Sequence, residues 1–492
     1  MNILFGTAGN RSTMLCTKKL IEHYEPEQTI AVFDRQEYYT PELSVIKRRM
    51  EEKRRKCEFL NYQSVIQGQY NWKFITPKPL DLNILHQMGP YIPQAIKMQE
   101  RFPFVSSKFE EKMESIFNHI RYWNTMLSLY KIELAIFYDS PHEVYDYIIY
   151  CLCKEKKIEV RFLMHSPILG YSFISRDINQ LYPQLEQRYS VLKEQMRGIS
   201  EEKIKLDKDF WNNFCMYLDP HSDWQPYYMK KDVFSRTLAE KIEQFQKDKQ
   251  RYSLAYLVMW RTKNICNRIK QNYKLNKDKK IYAAYWKRHC SKKIDLNARF
   301  IYFPLHMQPE MTTSPQAGWF TWQYLMIELL SSCLPKDVWI YVKENPKQTF
   351  CGRGTNYAQR LQHIANVKLL SSEVNTYELM DHCIAVATAT GTALWESVFR
   401  GKPAIMFGSF ITQYMPGVIK VENEKECKIA INKILSHSFH WDNRDLKIFY
   451  RAMNDLFIQT YVDCPPLDKI FSAEETSERM FKGFYQEIEE LR

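Results

Sequence analysis

Two short polar segments of this chain carry residue types that chemistry needs. Asp139-Ser140-Pro141-His142-Glu143 follows the apolar run Glu133 to Tyr138. Ser140, Pro141 and Glu143 fit a helix capping box, as N-cap, first helical residue and N3. Capping leaves His142 unexplained. A histidine at a helix N-terminus is kept neutral and available as a general base, with Asp139 orienting it or acting itself and Glu143 alongside. A purely structural histidine is the plain alternative. The second segment, Thr388-Ala389-Thr390-Gly391-Thr392, stands between an apolar strand and a helix. The first amides of a helix lack internal partners and its dipole adds positive potential, so a phosphate is the natural guest. Simple N-capping by Thr390 or Thr392 is the alternative. Glu396, one turn into that helix, can accept from both hydroxyls of a ribose or merely complement the helix dipole.

Three more loops hold candidates. Lys343-Glu344-Asn345-Pro346 ends a strand; Lys343 can offset phosphate charge and Asn345 can donate to a phosphate oxygen, unless the loop is simply solvated. Pro304 and Pro309 stiffen a loop bearing His306, Gln308 and Glu310, followed by Thr312-Thr313-Ser314-Pro315; it either positions a ligand or links domains. Gly6, Gly9 and Arg11 lie in the first loop, an acceptor- or phosphate-contacting segment or a tight turn. Two glycines are too few for a dinucleotide fingerprint.

Strands and helices alternate around all of these. Ile3 to Phe5, Thr29 to Phe33, Glu133 to Tyr138 and Val160 to Met164 read as strands of an N-terminal βαβ domain. From Arg299 onward, strands at 299–303, 338–342, 367–370, 384–387 and 404–407 alternate with helices, which predicts a parallel sheet covered on both faces. Ligands of such sheets bind beyond the carboxyl ends of the strands, where every one of the polar motifs of the second domain falls. The expected organisation is an α/β chain with an N-terminal Rossmann-like acceptor domain (1–175), a basic helical insertion (176–295), a C-terminal nucleotide-sugar-binding Rossmann-like domain (296–445) and C-terminal helices (446–492) packing back on the first domain. Residues 40 to 130 are mixed and mostly helical.

Length and composition agree with this. A chain of 492 residues is too long for one core and fits two domains. No stretch approaches the roughly 18 apolar residues of a membrane span, and Met1 to Gly6 lacks the features of a signal peptide. The 12 cysteines are scattered without a CxxC pair, so reduced thiols in a cytoplasmic protein are expected. The net charge of +12 is concentrated: Lys230 to Lys293 contains 19 Lys or Arg against 5 Asp or Glu, a local balance of +14. A basic segment on an otherwise neutral chain suggests a local anionic partner rather than general nucleic-acid binding.

The motifs also carry a resemblance. Tyr302-Phe303-Pro304-Leu305-His306-Met307-Gln308-Pro309-Glu310 with Thr312-Thr313 resembles a signature of bacterial capsular and surface polysaccharide biosynthesis proteins. Tyr341 to Pro346, Ala387 to Glu396 with Arg400 to Pro403, and Ser140 to Tyr147 resemble the same group. That group includes capsule synthesis transferases using CMP-activated sugars such as Kdo, and is similar in layout to bacterial sialyltransferases. The resemblance implies a GT-B-like fold with two Rossmann-like domains. It also implies an inverting, metal-independent transfer from a nucleotide sugar, CMP- or UDP-linked, to a surface polysaccharide or lipid-linked glycan, with no cofactor. Where the sialyltransferases have a His-Pro that contacts the donor phosphate, this chain has Asn345-Pro346, which can donate a hydrogen bond but carries no charge or transferable proton. The basic segment 230–293 would face an anionic glycan or the inner membrane surface, making the protein cytoplasmic and peripheral, with no specific nucleic acid partner. A nucleotide-sugar epimerase of similar fold and a non-catalytic polysaccharide- or nucleic-acid-binding protein are the competing expectations.

Overall fold

The computed structural model describes all residues except 35–39, 74, 103–104, 106–107, 220–245, 247–248, 250–253, 292, 463–469 and 491–492. Two six-stranded sheets organise the chain. The first contains β1 (Ile3–Ala8), β2 (Gln28–Phe33), β3 (Lys56–Asn61), β4 (Leu134–Phe137), β5 (Glu159–His165) and β6 (Ser172–Ser175). Their spatial order is β3-β2-β1-β4-β5-β6, parallel throughout except for the antiparallel edge strand β6. The second contains β7 (Phe300–Pro304), β8 (Trp339–Lys343), β9 (Val367–Leu370), β10 (Ala385–Thr388), β11 (Ala404–Met406) and β12 (Val418–Lys420), in the order β12-β11-β10-β7-β8-β9, all parallel.

The central strands are continuous apolar runs because both of their faces are covered. Every residue of β4 and of β10 is buried. The two sheets share one topology, with the winding direction reversing between β1 and β4 and again between β7 and β10. Such reversals open a crevice at the carboxyl ends of the strands. The chain is thus α/β and GT-B-like, with two Rossmann-like doubly wound domains and helical segments between them.

Several local expectations change. β1 continues to Ala8, so Gly6 lies within a strand rather than a loop; a Cβ there would approach Phe137 Cδ1 to 2.5 Å, and glycine serves this strand contact. Residues 40 to 130 contain the edge strand β3 and the helices Thr40–Glu52, Tyr62–Ile66, Leu82–Met88, Ile92–Gln99 and Phe109–Leu129. Leu238 to Phe245, whose apolar spacing predicts a helix within the basic segment, lies outside the described residues. Beyond it the helix Leu254–His289 is anchored at its carboxyl end, where Tyr282, Tyr285 and Trp286 are buried against the second sheet. Met259, Ile269, Tyr273 and Leu275 of the same helix are exposed.

One hydrophobic cluster runs through both domains. The helix Asn443–Leu456 stitches it together: its Tyr450 hydroxyl accepts from Trp395 Nε1 at 3.1 Å and donates to Asn213 Oδ1 at 2.8 Å. The last helix, Ala473–Glu489, buries Met480, Phe484 and Ile488 against β1, β4 and the helix Arg11–Tyr24.

Candidate functional site

The loop after β4 carries the N-terminal half of the site. The helix begins at Val144 with Glu143 as its N-cap, and the Glu143 amide donates to Asp146 Oδ1 at 2.8 Å. The capping box expected on Ser140 is therefore displaced by three residues, and the Ser140 hydroxyl is buried without a partner among the described residues. This frees the loop to turn His142 back on itself. Its Nδ1 lies 2.7 Å from the Ser140 carbonyl, against 3.9 Å from Asp139 Oδ2. A carbonyl can only accept, so Nδ1 carries a proton; in the neutral ring the lone pair is then on Nε2, which has no partner among the described residues. The Ser140 carbonyl, not Asp139, orients the ring, because 3.9 Å is beyond hydrogen-bond range. Asp139 instead accepts the Ser140 amide at 2.7 Å through Oδ1.

Glu143 accepts the Tyr62 hydroxyl at 2.6 Å. Burial raises its carboxyl above the usual range, opposed by His142, Tyr62 and Arg101. Asp146, one turn on, is raised further by burial and then by Glu143. The loop after β1 contributes less than its glycines suggest. Thr7 shares a hydrogen bond with the Tyr145 hydroxyl, a Cβ on Gly9 would meet open space, and Arg11 is paired with Glu474 at 3.1 Å on the exposed surface. Arg11 is thus turned to the C-terminal helix.

The C-terminal half gathers at the reversal between β7 and β10. His306, in the loop after β7, places Nε2 3.2 Å from the amides of both Thr390 and Gly391. The amides expected to receive a phosphate therefore donate to an imidazole. Gly391 has no side chain because His306 needs the space: a Cβ would lie 2.9 Å from His306 Cε1. Burial and the neighbouring Arg353 push the His306 pKa down to about 4, so the ring is neutral at neutral pH with its proton on Nδ1.

The threonines brace this arrangement. Thr388 Oγ1 donates to the Pro304 carbonyl at 2.8 Å and Thr390 Oγ1 to the Thr312 carbonyl at 2.9 Å. Both hydroxyl protons are committed to the loop, and only Thr392 is exposed. Gln308 is also structural, with Nε2 donating to the Thr321 carbonyl, Oε1 accepting from Arg353 and its amide donating to Gln348 Oε1 at 2.7 Å.

Arg353 is the residue around which the loops after β7 and β8 are built, and neither it nor its partner Glu344 stood out from spacing. Its Nε and Nη2 donate to Glu344 at 2.9 and 3.0 Å, and Nη2 also reaches the His306 carbonyl. Glu344 further accepts from the Tyr282 hydroxyl at 2.6 Å and the Asn345 amide at 2.8 Å. Burial works against the Arg353 charge, but Glu344 overcomes it and holds the guanidinium above its ordinary value. One sequence signal existed: Gly352 and Gly354 flank the arginine, and both adopt positive φ, +75° and +79°.

Asn345 shapes a turn, its Oδ1 accepting the Lys347 amide at 2.9 Å. Lys343 ends β8, is half-buried and donates to Thr376 Oγ1 at 2.6 Å. No carboxylate pairs with it among the described residues, and burial lowers its ammonium pKa. Glu396 is half-buried; burial raises its carboxyl to about 7 against the opposing effects of Thr392 and Arg400. Glu310 is raised by burial, with Thr312 and Arg101 opposing. Among the described residues no group of three or more His, Cys, Asp or Glu is placed to hold a metal ion, and no helix is long and apolar enough to cross a membrane.

The two halves meet at a seam that spacing did not reveal. The helix Ile92–Gln99 and the turn after it reach across to the loop after β7. Gln94 donates to the Gly318 carbonyl and accepts from Ser314 Oγ at 2.9 Å. Arg101 donates through Nη1 to the His142 carbonyl and through Nη2 to the Ser314 carbonyl. No local pattern marks Arg101, since its partners are backbone atoms distant in sequence.

Residues 217–433 match the family model described as capsule polysaccharide biosynthesis protein. No curated protein matches the chain significantly. Among solved structures, the beta Kdo 2,7 transferase KpsC of Thermosulfurimonas dismutans is 9% identical, with 82% of this chain and 97% of that chain covered and a TM-score of 0.29. The UDP-GlcNAc 2-epimerase of Methanocaldococcus jannaschii in complex with UDP-GlcNAc and UDP is 12% identical, with 93% and 99% covered and a TM-score of 0.27. That of Neisseria meningitidis, bound to UDP-GlcNAc, is 11% identical, with 99% and 100% covered and a TM-score of 0.24. Likeness at this level assigns neither activity to the chain.

Proposed function

We propose that this chain, whose residues 217–433 match the capsule polysaccharide biosynthesis family model, is a glycosyltransferase that moves a sugar from a nucleotide sugar to a surface polysaccharide or lipid-linked glycan. One observation carries the reading. The His142 loop of one Rossmann-like domain and the Ser314 loop of the other are held to a single guanidinium, so a free imidazole nitrogen and the second domain's ligand crevice belong to one cleft.

In the proposed reaction His142 Nε2 takes the proton of an acceptor hydroxyl, whose oxygen forms the new bond to the anomeric carbon. The bond from that carbon to the donor phosphate breaks, and the nucleotide leaves with the electron pair. One displacement inverts the anomeric centre. Charge on the leaving phosphate is offset by Lys343, which has no carboxylate partner of its own among the described residues, and by the His306 Nδ1–H, with no metal required. Glu396 accepts from the ribose hydroxyls. The donor is a CMP- or UDP-sugar, and Asn345, committed to its turn, contributes at most its amide N–H groups. The basic segment 230–293 and the exposed part of the helix Leu254–His289 face an anionic glycan or the inner leaflet, a peripheral membrane location.

A second reading of the base has its own support. Asp139 does not hold His142, and its Oδ2 makes no hydrogen bond among the described residues, so this carboxylate can itself act on the sugar. Parallel assays of His142→Ala and Asp139→Asn, with nucleotide binding retained, decide between them. Loss of transfer by about 100-fold or more in His142→Ala supports the imidazole base. Near-normal turnover there sinks it, and loss confined to Asp139→Asn moves the role to the carboxylate. NMR of the product anomer tests inversion in the same reaction.

A further inference from the structure

We propose that Arg101 is the positioning residue that assembles the catalytic geometry, by latching the base-bearing loop of the first domain to the donor-side loop of the second. The inference rests on the transferase reading for its kinetic consequence, but its geometry stands apart from it.

Three features set Arg101 off from an ordinary interface arginine. Among the described residues its guanidinium donates only to backbone carbonyls, His142 on one side and Ser314 on the other. A bidentate guanidinium fixes two acceptors at a set separation and angle. The carbonyl of His142 belongs to the same residue whose ring carries the free nitrogen, and Ser314 lies two residues after Thr312, whose carbonyl takes the Thr390 hydroxyl beside the His306 cradle. One side chain thus sets the distance between the base and the donor loops.

Its Nε is buried and unpartnered among the described residues, although Asp146, Glu143, Glu310 and Asp139 all lie near enough to act on its charge. Burial pushes its pKa down to about 10 against those four carboxylates. A buried guanidinium with an unused N–H is costly for stability alone. The arrangement is understandable if the residue serves the closed cleft, where its charge also acts on Glu143. The groups facing Glu143 are His142 and Asp139 of its own loop, Asp146 one turn on, Tyr62 from the helix Tyr62–Ile66, and Arg101. Arg101 is one of those that favour the Glu143 carboxylate.

The test compares Arg101→Gln and Arg101→Lys with the full-length protein. In the Gln variant, turnover at saturating donor is expected to fall about 100-fold, the loss typical of a misplaced catalytic group. KM for the donor should stay within about threefold, since no donor contact is removed. The Lys variant should recover part of the turnover. The acid limb of the pH–rate profile should move to higher pH in the Gln variant, because the loop that carries the base loses a nearby cation, and remain near its original place in the Lys variant. A purely structural role would lower Tm in both variants and leave that limb where it was. Small-angle X-ray scattering supplies a readout independent of activity: the Gln variant should show a larger radius of gyration without nucleotide. If the native protein transfers no sugar and the Gln variant still opens, the transferase reading fails and the latch stands. Native turnover with unchanged scattering in the Gln variant overturns the latch. Should the Gln variant fail to fold, unchanged turnover and pH profile in a folded Arg101→Met variant would overturn it equally.

Discussion

His306 and Glu396 both serve the nucleotide in the proposed reaction, and their surroundings give them opposite tasks. His306 is held neutral by burial, Arg353 and two donated amides, so it can orient but not titrate near neutral pH. Glu396 is raised to about 7 from an ordinary 4.5, so the free folded protein keeps a proton that an unfolded chain would release between those values. Its contribution to stability therefore declines as pH rises through that window. If the carboxylate form grips the ribose, nucleotide affinity should strengthen about tenfold per pH unit below about 7 and level off above it. Calorimetry in buffers of different ionisation enthalpy should then show proton release on binding, and affinity flat from pH 5 to 8 would remove Glu396 from the ribose role. The Arg353–Glu344 pair is a different kind of residue-scale claim. Both side chains are essentially fully buried, 0% and 2% exposed. Arg353→Met leaves Glu344 without its cation and should cost about 3–5 kcal/mol in urea unfolding. A loss below about 1 kcal/mol would show that the pair does not hold these loops.

At the scale of elements, the second domain was largely legible because its strands are short apolar runs cut off by polar loops. The helix Glu424–Leu435 and the alternation from β7 to β12 follow that punctuation closely. Residues 40–130 were not legible: β3 is a half-exposed edge strand whose residues, Lys56 to Asn61, show no buried alternation. β6 is recognisable only by its antiparallel pairing to β5. The loops posed a different difficulty. Residue types showed that His142, His306 and Lys343 belonged at strand ends and Glu396 in the helix that follows one, but not that the amides of Thr390 and Gly391 would donate to His306. Nor could spacing reveal Arg101, whose bonds go to backbone carbonyls contributed by two other loops. Gly391→Ala tests the element-level packing. The added methyl must move the His306 ring off the two amides, costing about 1–3 kcal/mol of stability as an overpacked contact. Nucleotide affinity should fall with it, as read by thermal shift. Unchanged stability and affinity would mean that the cradle tolerates the intrusion and His306 is not fixed by it.

Across the whole molecule, charge and topology divide the work. The two topological reversals supply the cleft, whereas the excess of basic residues lies in one segment, 19 Lys or Arg against 5 Asp or Glu between Lys230 and Lys293. Sedimentation with anionic phosphatidylglycerol vesicles should capture the protein at low salt and release it as ionic strength rises past the point where the screening length shrinks to about 8 Å. Equal binding to neutral vesicles would contradict an electrostatic role. Sugar transfer across the cleft needs an acceptor, so acceptor dependence is the decisive measurement. Purified protein is incubated with CMP- and UDP-sugars, with and without capsular oligosaccharide acceptors, and products are resolved by mass spectrometry and NMR. An acceptor extended by one sugar and free nucleotide, formed only when both substrates are present, are the expected products. Conversion of a nucleotide sugar to its epimer without any acceptor would contradict sugar transfer.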